Sequence, residues 1–421
     1  MLKLMINFIS ILVLMIMPKF VQAESIDEAR LLLSCAASSM AAYEDDRGLL
    51  VRDILKDYNF TIDSMVDEKD KIKAKLLVIK GKSADGHSMN ILSICGTEEI
   101  KDAKVDLMTK MIPLINTDIK NSAMVHKGFN DYADVILAND SIKKFISDLK
   151  KDSNEKLYLT GHSLGGAVAI VMSAKLIEAG FNENQLQVIT FGAPAVGDKN
   201  FVERYDKKIN LTRVTVNGDP IKKALQILGY IHIGNELKYN PVKSVENFPH
   251  MMAVYLDCAI RNYYDVRGFE LPLNRNISAD VDKIYVAPMQ VLKDSFSDED
   301  FKYIKISMRD ELIRQISSAI FTPGDKIKIV SKIDEFDNDI KSAFESAKKT
   351  NCKYVLVQYL QAKKMRDDPM SNHRVSLEEI VYDSNGSLIS MQTSSVTTKE
   401  LTTLEAALFA QENFNSTRFS K

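Results

Sequence analysis

The stretch that most constrains the fold is residues 156–180, KLYLTGHSLGGAVAIVMSAKLIEAG. A short apolar run, Lys156–Thr160, stops at Gly161, and from Leu164 onward apolar residues recur at helical spacing. We therefore predict a strand that enters a helix through a sharp turn with Ser163 at its apex. Glycines two residues before and after this serine suit a strained turn, because a Cβ there would collide with the strand or the helix.

Gly-X-Ser-X-Gly between a strand and a helix is typical of a nucleophilic serine. The turn exposes the hydroxyl of Ser163 above the sheet edge, and the N–H of Leu164 points toward a developing oxyanion at the helix N-terminus. The alternative interpretation is an ordinary glycine-rich turn. A serine hydroxyl also needs a positioned base, so the choice depends on whether partners exist elsewhere in the chain.

The sequence contains six histidines, which makes the search for the base short. We favour His250, which follows Pro249 at the start of a predicted helix and lies downstream of every predicted core strand. His232, within the predicted short strand Tyr230–Ile233, is the second candidate. The remaining histidines fit the role less well: His162 adjoins the serine on the wrong side of the turn, His126 lies in Val-His-Lys-Gly-Phe, His87 precedes a strand and His373 is far along the chain.

The acid is predicted to be Asp219, which follows the predicted strand Leu211–Val216 in the sequence Asn-Gly-Asp-Pro. A carboxylate there would orient the imidazole and stabilise its cationic form. The alternative role for Asp219 is that of a turn aspartate. Asp198 is the alternative acid, although its surroundings favour a helix cap.

Strands that alternate with helices favour a mostly parallel sheet with helices on both faces. The predicted elements are helices Ser25–Tyr43 and His250–Arg261 and strands Lys73–Lys80, Met89–Cys95, Leu186–Phe191, Leu211–Val216 and Tyr230–Ile233. We predict a first domain over residues 24–268, a linker over 269–282 and a second, smaller α/β domain over 283–421. Asn385-Gly386 predicts a hairpin in that second domain.

Five blocks occur in the order Cys-Gly-Thr, Val-His-Lys-Gly-Phe, Gly-His-Ser-Leu-Gly-Gly-Ala, Thr-Phe-Gly-Ala-Pro-Ala-Val-Gly and Gly-Asp-Pro. In this order they resemble the class 3, fungal-type lipase family over about residues 25–265. The resemblance implies an α/β-hydrolase fold and hydrolysis of acylglycerols and related esters at Ser163, Asp219 and His250. It also implies an oxyanion hole formed by Thr97 and Leu164. Cys95 departs from the family, which has arginine there, and this puts details of the oxyanion loop in doubt.

The family carries a lid in the region corresponding to residues 98–124, which here is amphipathic. The alternative is a surface helix that is packed permanently on the core. The second domain weakly resembles small α/β domains of bacterial envelope lipoproteins and the amino-terminal domain of TolB-like proteins. We interpret it as a binding or packing module whose protein partner the sequence does not identify.

The amino-terminal residues resemble a secretory signal. Lys3 precedes the apolar run Met5–Met17, and Val21-Gln22-Ala23 supplies small residues for cleavage after Ala23. We expect residues 1–23 to be a signal peptide, export to the periplasm or the medium, and no transmembrane segment after cleavage. The alternative is an uncleaved anchor helix.

Composition narrows the function further. The net charge of −2 comes from interspersed acids and bases, so we expect no nucleic-acid partner. Four widely spaced cysteines do not form a disulfide framework, and the sequence predicts neither a metal site nor a cofactor. The leading hypothesis is an exported serine ester hydrolase that acts on a lipid or ester substrate at a lipid interface. A non-catalytic envelope scaffold and a peptidase on the same fold are the alternatives.

Overall fold

The computed structural model describes residues 25–412, except 58, 70–71, 83–85, 87, 98–109, 116–121, 244–247, 271–276, 278–280, 322–326, 334–337, 366–372 and 399. The predicted signal peptide, His87 and most of the predicted lid lie outside the described residues. Within the described ranges, every helix is too short or too polar to span a bilayer.

A seven-stranded sheet forms the first part of the chain, in the order β1-β2-β3-β6-β7-β8-β9. β1, β2 and β3 pair antiparallel, whereas each neighbouring pair from β3 to β9 is parallel. β4 and β5 form a separate antiparallel pair. The strands are β1 Thr61–Lys69, β2 Ile72–Lys82, β3 Ser88–Ile94, β4 Met111–Pro113, β5 Met124–His126, β6 Leu157–His162, β7 Leu186–Phe191, β8 Asn210–Val216 and β9 Asn235–Tyr239.

Helices cover both faces of this sheet. They are α1 Ile26–Ala41, α2 Asp46–Asp57, α3 Lys127–Ala138, α4 Asp140–Leu149, α5 Leu164–Glu178, α6 Lys199–Tyr205 and α7 Met252–Arg267. α1 and α7 share one buried apolar cluster with the sheet, and α3 and α5 share the other. A largely parallel sheet between two apolar layers of helices fits the α/β-hydrolase fold, and the predicted fold class is confirmed.

The turn between β6 and α5 has the strain that its sequence predicts. Ser163 has φ 55° and ψ −122°, in a region that side chains with a Cβ rarely adopt. A Cβ on Gly161 would lie 2.5 Å from the carbonyl carbon of Gly165, and one on Gly165 would lie 2.1 Å from the carbonyl oxygen of Ile94. Both glycines are therefore required by close backbone approach.

The predicted strand Tyr230–Ile233 is wrong. Ile231 makes only an isolated bridge to Gly197, and the edge strand of the sheet begins at Asn235. The run Tyr-Ile-His-Ile has strand-like composition, but Tyr230 and Ile233 are buried as anchors of a loop instead. β1 and α2 had not been predicted, since the polar sequence of β1 shows no regular apolar alternation.

A second sheet is centred on β14. β10 and β11 pair in parallel with successive parts of one edge of β14, and β12 and β13 pair with β10 and β11. β15 and β16 continue the sheet antiparallel from the other edge, joined by the predicted hairpin at Asn385-Gly386. The elements are β10 Ile284–Val286, β11 Gln290–Leu292, α8 Asp298–Gln315, β12 Ala319–Phe321, β13 Lys328–Val330, α9 Asn338–Lys349, β14 Tyr354–Lys364, β15 His373–Asp383, β16 Leu388–Thr398 and α10 Thr403–Glu412.

The two sheets have a common packing layer. The buried cluster that contains α1 and α7 also contains apolar residues of α8 and α10, among them Ile304 and Leu404. Helices α8 and α10 therefore pack against α7. Much of the predicted linker, 269–282, lies outside the described residues, so the domain boundaries stay a prediction, as does the TolB-like resemblance.

Candidate active site

Ser163, His250 and Asp219 meet in one hydrogen-bonded chain. Nε2 of His250 lies 2.9 Å from Oγ of Ser163, and Nδ1 of His250 lies 2.8 Å from Oδ2 of Asp219. All three side chains are buried. Because the carboxylate accepts from Nδ1–H, the neutral ring presents an unprotonated Nε2 to the serine hydroxyl.

Each member of this chain stands at the end of a regular element. Ser163 follows β6, which is held between β3 and β7. Asp219 follows β8 after a turn in which Gly218 has φ +92°. His250 lies directly before α7, and Pro249 contacts the turn at Gly218, since a Cβ there would lie 3.4 Å from the proline ring. Three residues from separate segments of the chain therefore converge at the carboxyl edge of the sheet.

The carboxylate of Asp219 accepts three hydrogen bonds. Oδ1 accepts from the N–H of Ile221 at 2.8 Å, and Oδ2 accepts from His250 and from the hydroxyl of Tyr255. Burial, followed by the charge of Asp219, raises the pKa of Tyr255 well above its ordinary value, so the phenol stays protonated and donates. A side chain at Gly192 would collide with this arrangement, because its Cβ would lie 2.9 Å from Oδ2 of Asp219.

Two further hydrogen bonds, both made by His162, hold the backbone of His250. Nε2 of His162 lies 2.8 Å from the carbonyl oxygen of His250, and Nδ1 of His162 lies 2.6 Å from the hydroxyl of Tyr43. A carbonyl only accepts, so Nε2 of His162 carries a proton, and in the neutral ring Nδ1 accepts from Tyr43. Sequence reasoning missed this role, since it tested His162 only as a base.

The first predicted oxyanion donor, Leu164, lies in the serine turn, and the residue before the second, Gly96, packs against that turn, since a Cβ on Gly96 would lie 2.7 Å from the carbonyl oxygen of His162. Leu164 is the first residue of α5, where backbone N–H groups have no intrahelical acceptor. Thr97 is half-buried three residues after the end of β3, whose last carbonyl oxygen packs against Gly165 of the turn. The residues that follow Thr97, 98–109, lie outside the described part of the chain.

The remaining candidates have other partners. Asp198 caps α6 by accepting from the N–H of Phe201 at 2.9 Å, which confirms the cap interpretation. His126 ends β5 and stacks on Phe129 with ring centroids 4.1 Å apart. Nε2 of His232 lies 2.7 Å from the carbonyl oxygen of Lys222. His373 begins β15 in the second sheet.

The structure offers no other site for covalent or metal chemistry in the residues it describes. The four cysteines are buried, and none of them is joined to another by a disulfide. Among the described residues, no group of three or more His, Cys, Asp or Glu side chains is arranged to hold a metal ion. The hydrogen-bonded chain at Ser163 is therefore the candidate active site.

Comparison with known families finds a similarity over part of the chain. The family described as Lipase (class 3) matches residues 91–228, a range that contains Thr97, Ser163 and Asp219. Residues 91–228 are similar to the class 3 lipase family. The matched range includes the turn at Ser163 and Asp219, whereas His250 lies beyond it.

Individual relatives also match part of the chain. Toxin TseL of Vibrio cholerae is 38% identical over 90 residues, which cover 21% of this chain and 13% of the toxin. Phospholipase A1-II 4 of Oryza sativa subsp. japonica is 29% identical over 152 residues, which cover 33% of this chain and 38% of the phospholipase. The chain therefore spans less than two fifths of the length of these curated relatives.

Solved lipases match a larger share of the chain. The crystal structure of a lipase from Rhizopus microsporus var. chinensis superposes with a TM-score of 0.43 and 21% identity, covering 52% of this chain and 76% of that lipase. A superposition with this TM-score is too weak to support a conclusion about fold or function. The fold assignment rests on the sheet order and on the strained turn at Ser163.

Proposed function

We propose that the chain is a serine ester hydrolase of the lipase or phospholipase type. The observation that carries the proposal is the continuous chain from Ser163 through His250 to Asp219, with donor–acceptor distances of 2.9 and 2.8 Å. Ser163 stands on a strained turn before a helix N-terminus, where backbone N–H groups can serve as the oxyanion donors that acyl transfer requires. The class 3 lipase match over residues 91–228 supports the same reaction class.

In the proposed reaction, Ser163 Oγ attacks an ester carbonyl while His250 Nε2 takes the hydroxyl proton. Asp219 stabilises the imidazolium that forms. The N–H groups of Leu164 and Thr97 would bind the oxyanion, each worth about 3 kcal/mol of transition-state stabilisation. His250 then protonates the leaving alcohol, and a water molecule activated by His250 releases the acid from the acyl-enzyme.

Exposed apolar side chains that lie close in sequence to Asp219 and His250 support a lipid surface as the partner. Ile227 is 90% exposed, Leu228 57% and Phe248 45%. The first two lie on the loop that leaves Asp219, and Phe248 lies two residues before His250. Large apolar side chains exposed around a reaction site are typical of surfaces that bind lipid or protein.

Labelling with a fluorophosphonate probe tests the nucleophile. We expect the wild-type protein to react covalently and Ser163→Ala to be silent, while the exposed-serine control Ser141→Ala labels as the wild type does. Equal labelling of wild type and Ser163→Ala, or no labelling of either, would favour the scaffold alternative instead.

A substrate panel tests the reaction class. Purified protein is assayed with triacylglycerol emulsions, phospholipid vesicles, p-nitrophenyl acyl esters and peptide amides. We expect hydrolysis of esters and none of amides, with all turnover lost in Ser163→Ala. Faster cleavage of peptide amides than of any ester would favour the peptidase.

The lipid partner has a direct spectroscopic test, because the chain contains no tryptophan. In a Ser163→Ala background, Ile227→Trp provides a single tryptophan, and we expect its emission to shift to the blue with vesicles of phosphatidylcholine and phosphatidylglycerol. Leu388→Trp, at a position that is 59% exposed on β16, is the matched control and should not shift. Shifts of equal size at both positions would contradict a lipid surface at the site.

Export remains a proposal that rests on the amino-terminal sequence alone. Expression of the full chain in a bacterium, followed by amino-terminal sequencing of the mature protein, tests it. We expect cleavage after Ala23 and recovery outside the cytoplasm. Recovery of an intact amino terminus from the membrane fraction would indicate the anchor helix instead.

A further inference from the structure

Helix α7 joins the candidate active site to the second sheet. Its first turns lie beside the site, where Tyr255 donates to Asp219 and His250 precedes the helix by two residues. Nearly every residue of α7 from Met252 to Asn262 is buried, because α1 and the first sheet cover one side and helices α8 and α10 cover another. The position of α7 therefore depends on both halves of the chain.

A buried polar cluster joins α7 to those two helices. We call Asp257, Arg261, Asp300 and Thr402 the interdomain cluster. Nε of Arg261 lies 2.5 Å from Oδ1 of Asp257, and its Nη2 lies 2.6 Å from Oδ1 of Asp300 at the start of α8. The hydroxyl of Thr402, next to α10, donates to Oδ2 of Asp257 at 2.9 Å.

The charges of the interdomain cluster are removed from water. The side chains of Asp257, Asp300 and Arg261 are 0%, 1% and 7% exposed. Burial raises the pKa of Asp257. Burial alone would lower the pKa of Arg261, but hydrogen bonds and charges from Asp257 and Asp300 raise it, so the guanidinium stays charged. Loss of Arg261 would leave two carboxylates in one dry interface without their cation, which is strongly unfavourable.

α7 connects this cluster rigidly to the base. Arg261 follows Tyr255 by six residues, or about 9 Å of helix rise. A movement of α7 that relieves the cluster therefore displaces the hydroxyl of Tyr255 and the segment that carries His250. Displacement of a reacting group by about 1 Å can lower a rate about 100-fold.

We propose that the second domain positions the catalytic base: α8 and α10 dock on α7 through the interdomain cluster and fix His250 at hydrogen-bonding distance from Ser163. Arg261 is a positioning residue, because it touches neither substrate nor the reacting atoms. The proposal rests on the proposed ester hydrolase function. It gives the second domain a role within catalysis, in addition to any ligand that it binds.

A second contact between the same helices provides a matched control. Arg267, in the last turn of α7, donates to Asp310 of α8 at 2.7 Å. These side chains are 16% and 22% exposed. Arg267 lies about one and two-thirds helical turns farther from the site than Arg261 does. If any ion pair between these helices could position His250, substitution of Arg267 and substitution of Arg261 would have the same effect on catalysis.

The test compares Arg261→Met, Arg261→Lys and Arg267→Met in the full-length protein, at a temperature where each is folded. With a soluble short-chain p-nitrophenyl ester, we expect Arg261→Met to lower kcat about tenfold and to leave KM within twofold. Arg261→Lys keeps the charge and should recover part of that loss. Arg267→Met should keep kcat within twofold. Hydrogen exchange of peptides covering residues 250–260 should quicken in Arg261→Met and not in Arg267→Met.

Several results would overturn the positioning role. An unchanged kcat in folded Arg261→Met would do so, as would an equal loss in Arg267→Met. If Arg261→Met does not fold, Thr402→Val removes one hydrogen bond to Asp257, and an unchanged kcat in that variant has the same consequence. If the wild type hydrolyses no ester, the proposed function fails, and the hydrogen-exchange comparison still decides whether the cluster orders the segment around residue 250.

Discussion

Two clusters beside the first sheet each contain a hydroxyl, an imidazole and a carboxylate, yet only one is connected as a proton relay. In the first, His250 lies between Ser163 and Asp219. In the second, Oε1 of Glu236 accepts from the hydroxyl of Thr215 at 2.7 Å. His232 is directed elsewhere, with Nε2 against a backbone carbonyl and Nδ1 without a hydrogen-bond partner among the described residues.

The difference shows that composition does not define a catalytic site. In the second cluster, Nε2 of His232 must carry the proton that the carbonyl of Lys222 accepts. Burial, followed by the charge of Arg213, lowers the pKa of His232 and disfavours the cation that a general base must form. In the first cluster, the carboxylate faces the imidazole and stabilises that cation.

The largest expected effect distinguishes the two imidazoles. His250→Ala removes the base and should lower kcat for a p-nitrophenyl ester by roughly five to six orders of magnitude. His232→Asn should keep kcat within twofold, because its ring has no route to the serine. Steady-state kinetics of both variants measures the contrast, and a comparable loss in His232→Asn would reverse the assignment of the base.

The next largest effect on kcat is expected from substitution of the carboxylates of the two clusters, Asp219 and Glu236. Asp219→Asn retains the shape but no longer holds the imidazole in the tautomer that accepts the serine proton, and kcat should fall about 10⁴-fold. Glu236→Gln, the matched change in the second cluster, should leave kcat within threefold. If Asp219→Asn keeps more than a tenth of the wild-type kcat, Asp219 is not the carboxylate that orients His250.

A smaller effect is expected from the phenol that donates to Asp219. Tyr255→Phe deletes one hydrogen bond to a buried carboxylate, and we expect kcat to fall about tenfold with KM unchanged. Tyr263→Phe changes a half-buried tyrosine on the same helix and serves as the control. Equal kinetics in the two variants would mean that Tyr255 does not hold Asp219 in place.

The hydroxyl of Tyr43 should matter less, since it acts on the base through His162. Tyr43→Phe leaves Nε2 of His162 able to donate to the carbonyl of His250, so kcat should fall only about threefold. His162→Phe removes both hydrogen bonds and should lower kcat further. A His162→Phe protein with wild-type kcat would show that the hydrogen bonds of His162 are not needed for catalysis.

The smallest effect concerns the pH dependence of stability at His232. Its folded-state pKa is lowered from 6.5, so the unfolded chain binds the proton more readily. Stability from this group is complete above about pH 6.5 and is lost as the pH falls toward the lowered pKa. His232→Asn should therefore lose less Tm than the wild type between pH 8 and pH 5.5, by about 1–2 °C. Parallel thermal melts at the two pH values test this, and identical losses would contradict it.

Residue patterns alone determined the parts of this protein that local sterics control. The strained turn at Ser163 needs glycines on both sides, so the turn, β6 and α5 could be predicted from one short stretch. The resemblance to class 3 lipases, together with the order of Ser163, Asp219 and His250 along the chain, identified the candidate triad. The strand predicted at Tyr230–Ile233 failed, because its apolar residues anchor a loop and pair with no neighbouring strand.

Only the tertiary structure decided which polar groups support the triad. Tyr255 and Asp219 are 36 residues apart, Tyr43 and His162 are 119 apart, and Asp257 and Thr402 are 145 apart. No local pattern records such pairs, because each forms only when separate elements pack together and a buried donor must find an acceptor. The same physical requirement places the second domain against the helix that follows His250.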